Sequence, residues 1–241
     1  RFRKTVSIAI PPTFRQPKYF AFLRVFFVFF VPSWRDFAVR GLHSSAPSDM
    51  TTSIPIFPLN TVLYPGSLLP LKIFEQRYLD MTKACVRDAT PFGVCRIREG
   101  REVGLPAVPD QLGCTALIEQ WDMPHLGVFH LQTRGQHPFR IMQQTTQADG
   151  LIRAEIELLE ETAGAIRQES FALCRRALEQ IIEKIGAEYF SPPLAYDDPR
   201  WTSYRLAEVL PLDLEERQGL LELRNDGERL QRLCACLTQA A

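Results

Sequence analysis

Ile54-Pro55-Ile56-Phe57-Pro58-Leu59-Asn60-Thr61-Val62-Leu63-Tyr64-Pro65-Gly66 opens the patterned part of a 241-residue chain. Ile54 to Phe57 reads as a short strand, with Asn60 and Pro65-Gly66 as turn punctuation. Leu68 to Phe74 reads as a second strand. From Glu75 to Val86 the spacing becomes helical: Tyr78, Leu79, Thr82 and Val86 recur three or four apart, leaving Arg77, Asp80, Lys83 and Arg87 for solvent. Phe92 to Ile97 is a third strand, and Arg98 to Leu112, with Gly100, Gly104, Pro106 and Pro109, an irregular exposed loop. Strands over Cys114–Met123, Val128–Arg134, Phe139–Gln147 and Ile152–Leu158 follow, divided by Pro124-His125-Leu126-Gly127, by Gly135 and by the tight-turn pair Asp149-Gly150. Six or seven short antiparallel strands with one interposed helix predict a small closed or half-closed barrel, because closure removes apolar edges that invite aggregation.

After Thr162-Ala163-Gly164 the period stays helical. Phe171, Cys174, Leu178, Ile181, Ile185 and Tyr189 form one apolar stripe that stops at Ser191-Pro192-Pro193. Asp198-Pro199 supplies an N-cap and a proline for a helix through Trp201, Tyr204, Leu206 and Val209. Asp213 and Glu216 have capping-box spacing, and Asn225-Asp226-Gly227 interrupts the last helical run. The predicted organisation is a β-barrel subdomain over residues 52–162 and a bundle of about four helices over residues 163–241.

Hydrophobic residues at 46% exclude wholesale disorder. The 28 basic and 28 acidic side chains cancel only formally. Residues 1–49 hold eight bases and two acids, which leaves 20 bases and 26 acids in the body, a net of −6. The apolar run Tyr19 to Val31 carries Arg24 and falls short of the roughly 20 residues that cross a bilayer. Residues 1–49 are therefore expected to lie outside the working fold, as a disordered extension or upstream translation. A membrane-surface anchor and a transit or export peptide are the other readings, so a membrane partner depends on this extension. The barrel region has 10 bases and 13 acids, and the helical region the same; nucleic acid is not an expected partner. Six scattered cysteines without a Cys-x-x-Cys pair read as reduced, mostly buried thiols of a cytoplasmic protein.

Catalytic motifs are missing. The chain has no Gly-x-x-x-x-Gly-Lys-[Ser/Thr], no Gly-x-Gly-x-x-Gly after a strand, no His-Glu-x-x-His and no Gly-x-Ser-x-Gly. Lys72, Lys83 and Lys184 are placed on polar faces, where they stay solvated and cannot activate a serine. His130 and His137 fall on adjacent predicted strands without a persuasive third ligand, and His125 on a turn. Glu155 and Glu157 read with Arg153 as a solvated face, and Cys85 as packed. No catalytic residue, cofactor or metal site is designated.

The opening segment, with Leu69-Pro70-Leu71-Lys72-Ile73-Phe74-Glu75-Gln76-Arg77-Tyr78, closely resembles the start of the N-terminal domain of Lon proteases. Phe92-Gly93-Val94, Glu102-Val103-Gly104, Gly113-Cys114-Thr115-Ala116, Gly135 leading to Phe139-Arg140-Ile141, Leu210-Pro211-Leu212, Arg217-Gln218-Gly219-Leu220-Leu221-Glu222 and Arg229-Leu230 continue it. Cys114, between Gly113 and Thr115, departs from the usual Gly-Thr. The resemblance spans about residues 54–237 and implies an α+β fold, a PUA-like small β-barrel followed by a C-terminal helical bundle, that recognises protein substrates. Family positions read as architectural: Pro58, Pro65 and Gly66 set turns, while Phe74, Glu75, Arg77 and Tyr78 lock the strand-to-helix corner.

The family's ATPase and Ser-Lys protease domains would follow this region, and the chain stops at Ala241. The expectation is thus a stand-alone, non-enzymatic protein that binds unfolded or exposed protein segments, as an adaptor in proteolysis or quality control, with a separate ATP-dependent protease as a further partner. Binding would use apolar contact in a groove between barrel and bundle, or added-strand pairing along an open edge. Trp121, Met123 and Phe129, near a hairpin end, are the candidate anchors; filling the core is the competing role for all three. An RNA-binding PUA-like module and a cryptic hydrolase are the alternative functions.

Overall fold

In the computed structural model, residues 52–239 are described; the expectations for residues 1–49 fall outside them. The chain order is β1 (Thr52–Leu59), β2 (Leu68–Ile73), α1 (Gln76–Asp88), β3 (Phe92–Glu99), β4 (Val108–His125), β5 (Val128–Thr146) and β6 (Ile152–Leu158). The helices α2 (Gln168–Ile185), α3 (Pro199–Val209), α4 (Leu214–Glu222) and α5 (Asp226–Gln239) follow, with a short 3₁₀ turn at Ala187–Tyr189. The α+β expectation is met.

The strands close on themselves. β1 pairs with β3 and β6, β3 with β4, β4 with β5, and the second half of β5 returns to β6. β2 lies outside this ring, on the first half of β5. Three expectations are corrected. β1 and β3 run parallel, with Ile56 opposite Gly93 and Leu59 opposite Arg96; β2 and α1 form the crossover that parallel neighbours require. The two strands expected around Gly135 are one strand, β5, so His130 and His137 sit on the same strand and cannot meet across a hairpin. β4 starts at Val108, inside the stretch expected to be a loop.

Gly135 is not a turn residue but the point where another backbone passes. A Cβ there would overlap the Tyr64 carbonyl oxygen and lie 3.0 Å from its carbon. The close approach lets Gly66 N–H donate to Gly135 O (2.8 Å) and Gly135 N–H to Ser67 O (2.9 Å). Pro65 and Gly66 form the turn beside it: Ser67 N–H donates to Tyr64 O at 3.0 Å, and Gly66 has the positive φ of 76° that the third position of a type II turn requires. Pro58, by contrast, lies within β1 opposite Cys95 rather than in a turn.

Two apolar cores follow from strand alternation. Ile54, Ile56, Cys95, Phe139, Ile152, Ala154 and Ile156 fill one. Gly93 and Gly113 make room there: Cβ atoms would stand 2.7 and 2.9 Å from the Phe139 ring. The second core gathers the opposite faces of β1, β3 and β4 with α1 and with Leu71, Ile73, Phe129 and Leu131 of β2 and β5. Tyr78 anchors α1 in it, its ring 4.2 Å from that of Phe57. Arg77, expected to face solvent, is instead buried: it donates to Gly150 O and pairs with Glu75 at 2.8 Å, at the corner it was also expected to fasten.

The helices obey their capping signals. Asp198 accepts from Arg200 N–H at the start of α3, and Asp213 and Glu216 complete the capping box of α4. Of the expected α2 stripe Cys174 and Leu178 are buried, and the buried face continues through Ala177 and Ile182, which the stripe did not include, while Phe171, Ile181 and Ile185 are half-buried. No helix among the described residues is long and apolar enough to cross a membrane.

Candidate functional site

The seam between barrel and helices is one place a groove was expected. It is filled. Arg205 of α3 is buried and donates to Pro65 O and Ser67 Oγ, both at 2.8 Å. The Ser67 hydroxyl donates to Glu208 (3.1 Å), which also faces Arg205 Nε at 3.3 Å. Tyr64 donates to Arg217 O (2.9 Å), and Gln218 Nε2 donates to Leu112 O (3.2 Å). Behind them Arg229 is fully enclosed, bonded to Glu161, Tyr204, Ser203 and the Leu220 carbonyl. These partners of the two cations are all internal, so their chemistry is structural: Arg205 binds α3 to the barrel and Arg229 binds the helices to one another and to the connector at Glu161.

The reactive side chains are likewise committed. Burial pushes the thiols of Cys95 and Cys114 far up, and that of Cys174 up to about 12; such thiols are poor nucleophiles. Lys72, Lys83 and Lys184 are exposed, and Lys83 pairs with Asp80 at 3.0 Å. Glu155 and Glu157 are exposed on β6. The arginines of β3 are also paired: Arg96 with Asp110 and Glu215, and Arg98 with Glu99. No group of three or more potential metal-ligating side chains converges among the described residues.

The other place is the end of the β4–β5 hairpin. Beyond Ala116 the two strands leave β3 and run on with β2 as a three-stranded arm. Register puts Leu71, Leu131 and Trp121 in one row, and Ile73 beside Phe129. Phe129 is only 7% exposed and belongs to the second core, so it is a floor and not an exposed anchor. Trp121 packs edge-on against it at 5.7 Å yet remains 53% exposed, and Met123 is 44% exposed. Two residues not singled out as anchors from sequence stand at the same end, Phe74 having been read as architectural. Leu126 at the turn is 96% exposed, and Phe74, which follows Ile73, is 51% exposed. Phe74 therefore turns outward at the corner that Glu75, Arg77 and Tyr78 fasten. The signal for Leu126 was available: a large apolar residue in a two-residue turn has no neighbour to bury it.

The sequence was compared with known families, curated proteins and solved structures. The family model for the ATP-dependent protease La (LON) substrate-binding domain matches residues 53–239. The Lon protease of Paraburkholderia phytofirmans is 27% identical over 197 residues, covering 76% of this chain and 24% of that protein. Protein cereblon of Xenopus tropicalis is 27% identical over 132 residues, 52% of this chain and 27% of that protein. The chain thus spans about a quarter of the length of these curated relatives. The crystal structure of a Lon N-terminal domain protein from Xanthomonas campestris aligns with a TM-score of 0.64 at 34% identity, over 76% of this chain and 98% of that one. The N-terminal domain of a Mycobacterium avium complex Lon protease, at 18% identity and a TM-score of 0.57 over 78% and 98%, shares the fold.

Proposed function

Because this chain belongs to the Lon substrate-binding domain family, we propose that it is a non-catalytic module that grips unfolded or exposed segments of other proteins at the end of the β4–β5 hairpin. One observation carries the reading. Trp121, Met123, Leu126 and Phe74 stand exposed at one end of the sheet, where Trp121 continues past its buried rim the row that Leu71 and Leu131 fill in the core. Apolar side chains in such a cluster mark interaction sites, and Trp is the residue type that most often dominates them. The filled seam between barrel and helices weighs against a groove there.

The module's work is that of an adaptor in proteolysis or quality control, passing clients to a separate ATP-dependent protease. Four of its six cysteines are buried and all six are free, which favours residence in a reducing cytoplasm. The test is fluorescence anisotropy of a labelled unfolded client peptide against the full chain. Micromolar binding, about −8 kcal/mol, is expected, with roughly tenfold weakening in Trp121→Ala/Met123→Ala, or about 1.4 kcal/mol. Unchanged affinity in the double variant refutes the site, and absence of binding by the parent chain refutes the function.

A further inference from the structure

The three-stranded arm has two outer edges, and they are built differently. That of β2 is six residues long, carries Pro70 at its middle and exposes Lys72. A proline without a donor and an outward lysine are the usual guards against edge pairing. The outer edge of β4 has neither proline nor lysine between Leu117 and Met123. β3 accompanies β4 only to Ala116, opposite Phe92, and from Leu117 to His125 β4 pairs with β5 alone among the described residues. Glu119 to His125 are all exposed. The Met123 amide donates to the neighbouring Asp122 carboxylate at 2.8 Å, as an edge donor does when no strand offers it a carbonyl. Register shifts at Glu119 and at Met123-Pro124 bound the open run, leaving Gln120-Trp121-Asp122 in regular register with Met123 at the start of the second irregularity.

The geometry points to strand addition: an extended client segment of about four residues pairs its main chain with β4 at Gln120–Met123 and lays alternate apolar side chains over Trp121 and Met123. This rests on the reading that clients bind at the hairpin end. Main-chain donors and acceptors in a row are matched by another extended main chain. The occupant's charge follows from Asp122. When a client carbonyl takes the Met123 amide, the displaced carboxylate is left to pair with a lysine or arginine of the client, and the net charge of −6 on the body after residue 49 favours the same sign. A second copy of this chain pairing on the same edge would instead set Asp122 against itself, Glu119 being already held by Arg134.

The test uses the full chain and a fluorescent peptide alternating leucine and lysine, beside two versions N-methylated on one or the other alternate set of amides. Methylation removes donors while keeping every side chain. The unmethylated peptide should bind, and one methylated version should bind at least tenfold more weakly. Asp122→Lys should move the preference to a peptide alternating leucine and glutamate. Equal binding of all three peptides overturns strand addition while leaving side-chain recognition at Trp121 in place. Failure of all three to bind overturns both.

Discussion

Replacing Arg229 with methionine removes, at nearly constant volume, the buried cation that centres the junction of α3, α4 and α5 with the connector at Glu161. The guanidinium is 0% exposed. It donates to Glu161 (2.8 Å), the Tyr204 hydroxyl (2.9 Å), the Leu220 carbonyl (3.1 Å), Ser203 (3.2 Å) and the Leu223 carbonyl, and lies 3.8 Å over the Tyr204 ring. Breaking a buried ion pair from one side costs about 3–5 kcal/mol. Glu161 keeps Arg200 at 3.2 Å and the Tyr204 hydroxyl, which places the expected loss near the lower end, about 3 kcal/mol. Two stranded carbonyls at about 1 kcal/mol each and a desolvated cation–π contact of about 2 kcal/mol come to about 4 kcal/mol, within the same range. For a urea slope of about 2 kcal/mol per molar, the unfolding midpoint followed by far-ultraviolet circular dichroism should fall by about 1.5 M. Arg229→Lys, which keeps the charge but not the planar fork, should recover only part of the loss. A loss below about 1 kcal/mol in the methionine variant would refute the assignment of this side chain as the junction's centre.

Two further outcomes follow. Gly135→Ala drives a methyl group into the Tyr64 carbonyl and parts the paired bonds with Gly66 and Ser67; a loss of about 2–4 kcal/mol in urea unfolding is expected, and a loss within about 0.5 kcal/mol contradicts the close approach. Burial raises the Glu208 carboxyl above its ordinary value near 4.5, against the lowering pull of Arg205. The folded state then holds this proton more tightly than the unfolded state, so its contribution falls as pH rises from the ordinary value through the raised one. Glu208→Gln should therefore gain stability relative to the parent across that window, and a flat difference between pH 4 and 8 would contradict the burial.

Local signals were legible in the chain, and non-local ones were not. The spacing of Tyr78, Leu79 and Thr82 gave α1, Asp213 with Glu216 gave the start of α4, and Asp198-Pro199 the start of α3, because each depends on residues within one helical turn. Gly135 misled because a glycine between apolar runs usually turns the chain; here it admits a backbone more than seventy residues earlier, which no local pattern announces. Pro58 misled likewise, since a parallel partner for β1 becomes visible only once the crossover is folded. At the hairpin, alternation placed Trp121 and Met123 with Phe129 but could not tell the floor of a core from its rim. That distinction depends on where β3 stops, at Ala116, a property of pairing and not of composition.

The continuity of β5 has a mechanical consequence. The strand spans nineteen residues, is bonded along one side to β4 and along the other first to β2 and then to β6. A pull applied at the hairpin end would load β4 and, through their shared rungs, β5 lengthwise, across hydrogen bonds that lie perpendicular to the strands. Many rungs must then yield in shear together, whereas a strand peeled from its side would lose them one by one. The tip and the barrel wall are one beam, and tension arriving at Trp121 is carried directly into the ring that closes on β6.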